Sequence, residues 1–179
     1  KRSHPQLTRH WDRNGFMSSL VEKIREKDSM DFLAVIFGET AETSARSPQV
    51  WEKFFRAKQI NGELFAQNSS HRTIIEDIKY CIQCETIGAI LLTNPFKEVA
   101  NDPELAVFCR NSGLNNFPSH NLLVKVAGGY EQYNTDISAL EQELISFLRR
   151  PLSSDLMGVC VIGYGGDRKS TRLNSSHQI

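Results

Sequence analysis

Residues 88–98, GAILLTNPFKE, contain the strand-to-helix junction on which the fold prediction rests. The apolar run AILLT has the length of a short buried β-strand. Pro95 ends that run and favours the first turn of a following helix, NPFKEVAND. The stretch therefore predicts a strand that leads directly into a helix, with Thr93 before the turn and Lys97 after it.

The same alternation of strands and helices continues upstream of this junction. Ser47 and Pro48 are typical of a helix start, with the serine as N-cap and the proline at the first helical position. A later helix is predicted to end near Gly88. In chain order, the upstream stretches predict a helix (15–28), a strand (30–38), a helix (47–59), a strand (61–67) and a helix (72–88).

Downstream of the junction the sequence predicts a hairpin, a long helix and one more strand. The hairpin is NLLVKV-AGG-YEQY (121–133), and the helix is NTDISALEQELISFLRR (134–150), with Asp136 near its positive N-terminal end. The apolar stretch MGVCVIG (157–163) is typical of a buried strand. Strands alternating with helices predict an α/β fold around a sheet that is parallel in its main part.

The composition limits the classes of partner. The 21 basic and 21 acidic residues balance, so neither a nucleic acid nor an anionic membrane is an expected partner. No apolar run is long enough to cross a bilayer. The four cysteines lie in apolar or helical stretches, which favours a reducing compartment such as the cytoplasm over a disulfide framework.

The C-terminal residues 167–179, DRKSTRLNSSHQI, do not continue the pattern of the chain. DRKSTRLNSSH is similar to the peptide obtained by translating a common sequencing adapter. We therefore interpret this tail as an artefact and set it aside from fold prediction. The alternative is a natural polar tail, which its composition allows.

Three stretches in a fixed order resemble the shikimate/quinate dehydrogenase family. They are TSARSPQVWEKFF (43–55), GAILLTNPFKE (88–98) and YNTDISAL (133–140), and a strand with a Gly-rich turn at 163–166 follows them. The resemblance spans residues 31–166 and implies a three-layer α/β substrate-binding domain with a mainly parallel sheet, followed by the first strand of a Rossmann-like domain.

The resemblance also implies how the chain is divided. The domains would be a linker with an N-terminal helix (1–30), the substrate-binding domain (31–135), a connecting helix (136–150), the start of a truncated NADP-binding domain (151–166) and the artefactual tail (167–179). The chain begins with Lys1 rather than methionine, so upstream domains of a longer chain are expected.

Two residues match the family's catalytic pair, Lys97 and Asp136. Oxidation of a secondary alcohol by a nicotinamide needs a group that accepts the hydroxyl proton as hydride leaves. A lysine can do this when partial burial lowers its pKa, and a carboxylate can orient it. The alternative is that Lys97 is a solvated first-turn lysine and Asp136 an N-terminal cap.

Other matches concern the substrate and the cofactor. Ser47, Thr93 and Asn121 match positions that hold the carboxylate and ring hydroxyls of the substrate. Their structural alternatives are an N-cap, a strand end and a strand start. Three glycines match the loop that approaches the phosphates of NADP, although a tight turn is the alternative. These glycines are Gly163, Gly165 and Gly166.

The chain departs from the family pattern at four positions. Ala45 stands where a carboxylate-binding serine is usual, and Ser44 is the residue that could compensate. Leu91 and Leu122 replace an expected Asn and Thr. Ala139 replaces the small glycine that usually follows the NTD motif.

Two functions are compatible with this pattern. The first is reversible, NADP-linked oxidation of shikimate or quinate, a small-molecule substrate, to the 3-dehydro acid. The second is a non-catalytic, repressor-like regulator in the nucleus, which keeps the dehydrogenase fold and senses a quinate-pathway metabolite. Retention of Lys97 and Asp136 favours the enzyme. The regulator is favoured by Ala45, Leu91 and Leu122.

The remaining motif candidates have simpler interpretations. Cys81 and Cys84 form a CxxC motif, but they lie in an amphipathic stretch without a second pair, so we interpret them as core residues. His71 and His120 lack companion ligands at metal spacing, so we interpret both as surface or capping histidines and expect no metal.

Overall fold

The computed structural model describes residues 15–110 and 120–148, in which strands and helices alternate. The helices are α1 Gly15–Glu26, α2 Ala41–Ser44, α3 Ser47–Lys58, α4 Ile74–Gln83, the 3₁₀ helix Phe96–Asn101, α5 Pro103–Ala106 and α6 Thr135–Leu148. The strands are β1 Phe32–Gly38, β2 Gly62–Asn68, β3 Ile87–Leu92, β4 Cys109–Arg110, β5 Leu122–Val126 and β6 Gly129–Tyr133.

The described strands form one mixed sheet in the order β2-β1-β3-β5-β6-β4. β1 pairs in parallel with both β2 and β3, as the sequence predicts for the main part of the sheet. The β5–β6 hairpin is antiparallel, and β5 also runs antiparallel to β3. The hairpin therefore makes the second half of the sheet mixed, with the two-residue β4 at its edge.

Helices cover both faces of the sheet. Side chains alternate along β1, so this strand contributes to the core on each face. Leu33, Val35 and Phe37 join the larger core cluster, which includes apolar side chains from α1 and α4. Ala34 and Ile36 point to the other face and join a smaller cluster with α3. This is the three-layer arrangement that the resemblance implies.

The prediction that the helix after residue 72 ends near Gly88 is wrong. α4 ends at Gln83, and Cys84 is already extended, with φ −77° and ψ 125°. Gly88 lies in β3, where an added Cβ would lie 2.2 Å from Cε2 of Phe32. The glycine therefore allows an aromatic ring to pack against the strand, a tertiary contact that the local pattern does not show.

Two predicted helix starts also differ in detail. The turn after β3 is a 3₁₀ helix rather than an α-helix, and the Asn94–Pro95 peptide before it is cis. Ser47 is the first residue of α3 and not its N-cap, which is Arg46, and no side chain caps this helix. Both differences leave Lys97 and Ser47 in the first turn of their elements.

Several predictions concern residues outside the described ranges. These are the linker at 1–14, the strand at 157–163, the cofactor glycines Gly163, Gly165 and Gly166, the NADP-binding start at 151–166 and the tail at 167–179. None of the helices in the described part of the chain has the length and apolar character to cross a membrane.

Candidate active site

A cavity of about 310 Å³ lies where the first turn of α3, the end of β3 and the start of α6 meet. Five of the residues around it are the predicted catalytic and substrate-binding residues: Ser47, Thr93, Lys97, Asn121 and Asp136. The fold therefore brings together side chains that are up to 89 positions apart in the sequence. The other lining residues are Ile36, Trp51, Leu91, Leu92, Leu122 and Thr135.

Lys97 and Asp136 form an ion pair at the wall of this cavity. The Lys97 Nζ donates to Oδ2 of Asp136 over 2.5 Å. The side chain of Lys97 is 19% exposed and that of Asp136 is 39% exposed. Lys97 is thus not a solvated surface lysine, because most of its side chain is covered and its ammonium group contacts a carboxylate.

The β5–β6 hairpin brings these two residues together. It returns the chain so that Tyr133, at the end of β6, accepts a hydrogen bond from the N–H of Asn121. The Asn121 carbonyl in turn accepts from the N–H of Leu92, at the end of β3. One residue earlier, the N–H of His120 donates to the carbonyl of Lys97. The start of α6 is therefore fixed beside the 3₁₀ helix.

Asn134, and not Asp136, caps α6. Its Oδ1 accepts a hydrogen bond from the backbone N–H of Ile137 over 3.0 Å, and the residue is buried. This contact satisfies one of the donors that every helix start leaves open. The Asp136 carboxylate is consequently directed to Lys97. Sequence reasoning missed this cap, although an Asn immediately before an amphipathic helix is a recognised signal.

The side-chain amide of Asn121 is engaged with Thr135 on both of its atoms. Its Nδ2 donates to Oγ1 of Thr135 over 2.7 Å, and its Oδ1 accepts from the Thr135 N–H over 2.8 Å. Asn121 therefore holds the residue next to Asp136 in place. Asn121 also lines the cavity, but both of its amide atoms bond Thr135, so we interpret it as a positioning residue.

Two residues with hydroxyl side chains, Thr93 and Ser47, line the same cavity as the ion pair. Thr93 directly follows β3, and its backbone is held by bonds to the Phe37 carbonyl and from the Phe96 N–H. Ser47 makes no capping bond at the start of α3. Each of these hydroxyl groups can donate one hydrogen bond and accept others.

Ser44 does not compensate for the alanine at position 45. It is exposed, and its Oγ donates to the carbonyl of Thr40 over 2.7 Å, within the short helix α2. Ala45 instead packs partly buried against the smaller core cluster. One expected carboxylate-binding hydroxyl is therefore absent from the cavity.

The other cysteine and histidine predictions have mixed outcomes. Cys81 and Cys84 are both fully buried in the core, as expected, and burial raises the pKa of Cys84 to about 11. His71 is exposed, but the expectation for His120 is wrong: it is buried, with Nδ1 2.8 Å from Oδ1 of Asn101. Within residues 15–110 and 120–148, no group of acidic, cysteine and histidine side chains has the arrangement of a metal site.

Comparison with known proteins gives structural neighbours only. No protein-family model and no curated protein matches the sequence. The structure is similar to the shikimate 5-dehydrogenase of Thermus thermophilus solved in complex with shikimate, at 18% identity and a TM-score of 0.53. That alignment covers 69% of this chain and 45% of the enzyme.

Two further neighbours have the same fold. A shikimate dehydrogenase solved in complex with NADP+ matches at 17% identity and a TM-score of 0.56, over 69% of this chain and 41% of that one. The ligand-free 5-ketofructose reductase of a Gluconobacter species matches at 12% identity and a TM-score of 0.54, over 65% and 40%.

These similarities show the fold of the chain. The described α/β sheet matches the N-terminal domain of shikimate dehydrogenases, and the matched region is about two thirds of this chain. The alignments cover less than half the length of each of the three neighbours. Sequence identity this low establishes a common architecture without establishing a common reaction.

Proposed function

We propose that this chain carries the substrate pocket of an NADP-linked dehydrogenase that oxidises an alicyclic alcohol, of the shikimate or quinate type, to the ketone. The observation that supports this best is the Lys97–Asp136 ion pair at the wall of the cavity. An amine and a carboxylate in contact, with hydroxyl side chains beside them, can bind an alcohol and exchange its proton.

Lys97 carries out the proton transfer in this mechanism. The substrate hydroxyl would lie against Nζ of Lys97. The ammonium of the ion pair first releases one proton to solvent, and the neutral amine then accepts the hydroxyl proton as the C–H bond at the same carbon breaks. The chemistry that a bound NADP+ would supply is that of the hydride acceptor for that carbon. In the reverse direction the Lys97 ammonium donates its proton to the oxygen of the ketone as that oxygen gains negative charge. The cofactor glycines Gly163, Gly165 and Gly166 lie outside the described residues.

Asp136 orients the lysine and balances its charge. The 2.5 Å contact fixes Nζ on one side of the cavity, and the carboxylate stabilises the ammonium that forms when the substrate loses its proton. Asn121 and Asn134 hold the start of α6 from two directions, which keeps Asp136 within reach. A positioned pair of this kind loses little to reorganisation during the reaction.

The hydroxyl groups of Thr93 and Ser47 would bind the polar substituents of the substrate. Each can donate one hydrogen bond and accept others, so they suit a carboxylate or a hydroxyl equally well. A polar substrate group that enters the cavity without such a partner loses its hydrogen bonds to water and gains none in return, which weakens binding.

A regulator without catalysis is the second candidate. It is favoured by the loss of polar groups around the cavity, since Ala45 is packed into the core and Ser44 is bonded to Thr40. Leu91 and Leu122 also line the cavity in place of polar side chains. Such a protein would bind a quinate-like ligand but would not turn it over.

The experiment that separates these candidates is a turnover assay. The chain would be expressed together with the NADP-binding segment that we propose follows it, and the reduction of NADP+ would be followed with shikimate and with quinate. We expect turnover with one of them, and Lys97→Ala should lower kcat at least about 100-fold.

The matched control for this assay is Lys58→Ala, an exposed lysine in the last turn of α3 that should leave the rate unchanged. Ligand binding with no turnover by the unmodified protein would support the regulator and exclude the enzyme. Equal rates for Lys97→Ala and the unmodified protein would remove Lys97 from the proton transfer.

A further inference from the structure

Three apolar side chains line the cavity from three neighbouring strands. In the register of the sheet, Ile36 of β1 lies beside Leu91 of β3, and Leu91 lies opposite Leu122 of β5. All three face the cavity, and we call them the apolar row. Neighbouring strands are about 4.8 Å apart, so the row extends across about 10 Å, enough for one edge of a six-membered ring.

The indole of Trp51 adds to this apolar side of the cavity. It projects from α3, which packs on the same face of the sheet as the row. Leu91, Leu122 and Trp51 are each partly exposed, so they have apolar surface left to cover. Ile36, beside Leu91 in the row, is buried.

The polar side chains of the cavity lie beyond the strand ends. Lys97 belongs to the 3₁₀ helix after β3, Asp136 to the first turn of α6, and Thr93 to the residue that follows β3. The cavity therefore has two unlike parts. One part can exchange a proton and hydrogen bonds. The other is the apolar row, which offers only hydrocarbon, although Trp51 beside it also carries an indole N–H.

We propose that the substrate of this pocket is a ring alcohol with one polar edge and one unsubstituted hydrocarbon edge. This inference rests on the proposed function for the position of the reacting hydroxyl at Lys97. The hydrocarbon edge lies on the apolar row, where it gives up no hydrogen bonds with water and covers exposed leucine surface.

The same geometry disfavours a ring that carries hydroxyls on all sides. A hydroxyl that faces Leu91 or Leu122 leaves water and finds no acceptor or donor on the row. One such group would weaken binding by about tenfold, and two by more. Shikimate and quinate each carry several ring hydroxyls. They can still react at Lys97, but they should bind this cavity more weakly than a ring of the same size with a single hydroxyl.

The test compares two saturated ring acids on the chain itself. These are 3-hydroxycyclohexane-1-carboxylate and quinate, which share the ring and the carboxylate and differ in their further hydroxyls. Dissociation constants would be measured by isothermal titration calorimetry, with ligand-observed NMR for weak binding. We expect the monohydroxylated acid to bind at least about tenfold more tightly than quinate.

Two variants test whether the apolar row causes this preference. Leu91→Asn and Leu122→Thr, made separately, each place a polar group on the row. Each should reduce severalfold the ratio of the dissociation constants of quinate and the monohydroxylated acid. Val107→Thr is the control, because Val107 is 78% exposed and lies away from the cavity. Circular dichroism melts would show that each variant is folded, and either folded variant suffices for the test.

Three results would overturn the inference. The first is quinate binding as tightly as the monohydroxylated acid, the second is no binding of the latter at millimolar concentration, and the third is an unchanged preference in a folded row variant. These failures are distinct from a failure of the proposed function, which Lys97→Ala reports through turnover. Lys97-dependent turnover with a preference for quinate would support the proposed reaction and contradict the inference that the substrate has a hydrocarbon edge.

Discussion

Asp136 and Asn134 are two residues apart, but they have different tasks at the start of α6. Asn134 accepts a hydrogen bond from the N–H of Ile137, whereas Asp136 accepts one from Lys97 at the wall of the cavity. Both residue types are common at helix starts, so the sequence pattern alone cannot separate a helix cap from a carboxylate that pairs with a lysine. The hydrogen bonds in the structure distinguish the two residues. We therefore expect opposite effects on stability and turnover when each is replaced.

Asn134→Ala should lower stability more than it lowers turnover per folded molecule. The change removes a buried capping bond and should cost about 1 kcal/mol in the free energy of unfolding. Thermal unfolding would measure this loss, with Glu143→Ala as a control on an exposed residue of the same helix. A melting temperature equal to that of the control would show that Asn134 is not the cap.

Asp136→Asn should have the reverse effect. The side chain keeps its size, and the partly exposed ion pair contributes at most about 1 kcal/mol, so the loss of stability should be small. Turnover should fall about 100-fold, because Lys97 loses the carboxylate that orients it. Comparable kcat values for Asp136→Asn and the unmodified protein would contradict the role given to the pair.

At the scale of the elements, the cavity depends on how closely strand ends approach each other. Gly38, at the end of β1, allows this approach, because a Cβ there would lie 2.6 Å from Cγ2 of Thr93. It would also lie 3.3 Å from the Cβ of Ala41. A buried glycine thus lies against a residue that lines the cavity.

Gly38→Ala should therefore weaken ligand binding as well as stability. The added methyl group must displace the Thr93 side chain, and overpacking of this kind costs about 1–3 kcal/mol. If the Thr93 hydroxyl is displaced, calorimetric titration with 3-hydroxycyclohexane-1-carboxylate should give a larger dissociation constant. Unchanged affinity would show that Thr93 does not contact the ligand.

A second contact between elements places a carboxylate in the interior. Asp77 of α4 is buried, and Oδ2 accepts a hydrogen bond from the hydroxyl of Ser69, which follows β2. Burial raises the pKa of this carboxyl above its ordinary value of 3.8, and the neighbouring Glu76 adds to the increase. The folded protein therefore holds this proton more tightly than the unfolded chain does.

Stability should consequently fall as the pH rises from the unfolded pKa through the higher folded pKa of Asp77. Above that window the buried charge carries its full cost. Asp77→Asn removes the charge, so it should stabilise the protein at neutral pH by about 1 kcal/mol and flatten this part of the pH profile. Urea unfolding at several pH values would test this, and a variant that is less stable at neutral pH would contradict it.

At the scale of the whole molecule, the sequence predicts the positions of the elements and the set of polar site residues better than it predicts the contacts between them. Ser47, Thr93 and Lys97 follow from local motifs that the resemblance connects, and all three line one cavity. Trp51 and Ile36 were missed because nothing local distinguishes a pocket-lining apolar residue from a core residue. Only the strand register and the packing of α3 identify them.

The same limit explains the errors. Gly88 is a typical helix-ending residue in the sequence, but its place is set by the ring of Phe32. His120 has no sequence neighbour that predicts burial, yet the return of the hairpin places it under the 3₁₀ helix with Asn101. Tertiary packing overrides the local signal in both cases.

The central claim is that Lys97 exchanges the substrate proton, and chemical rescue tests it most directly. The Lys97→Ala variant, joined to the NADP-binding segment that we propose, would be assayed with increasing concentrations of methylamine. If the lysine acts as the acid–base group, the amine should occupy the vacated space and restore turnover in proportion to its concentration, with no effect on the unmodified protein. Full activity of Lys97→Ala without amine, or an inactive variant that no small amine restores, would contradict the account.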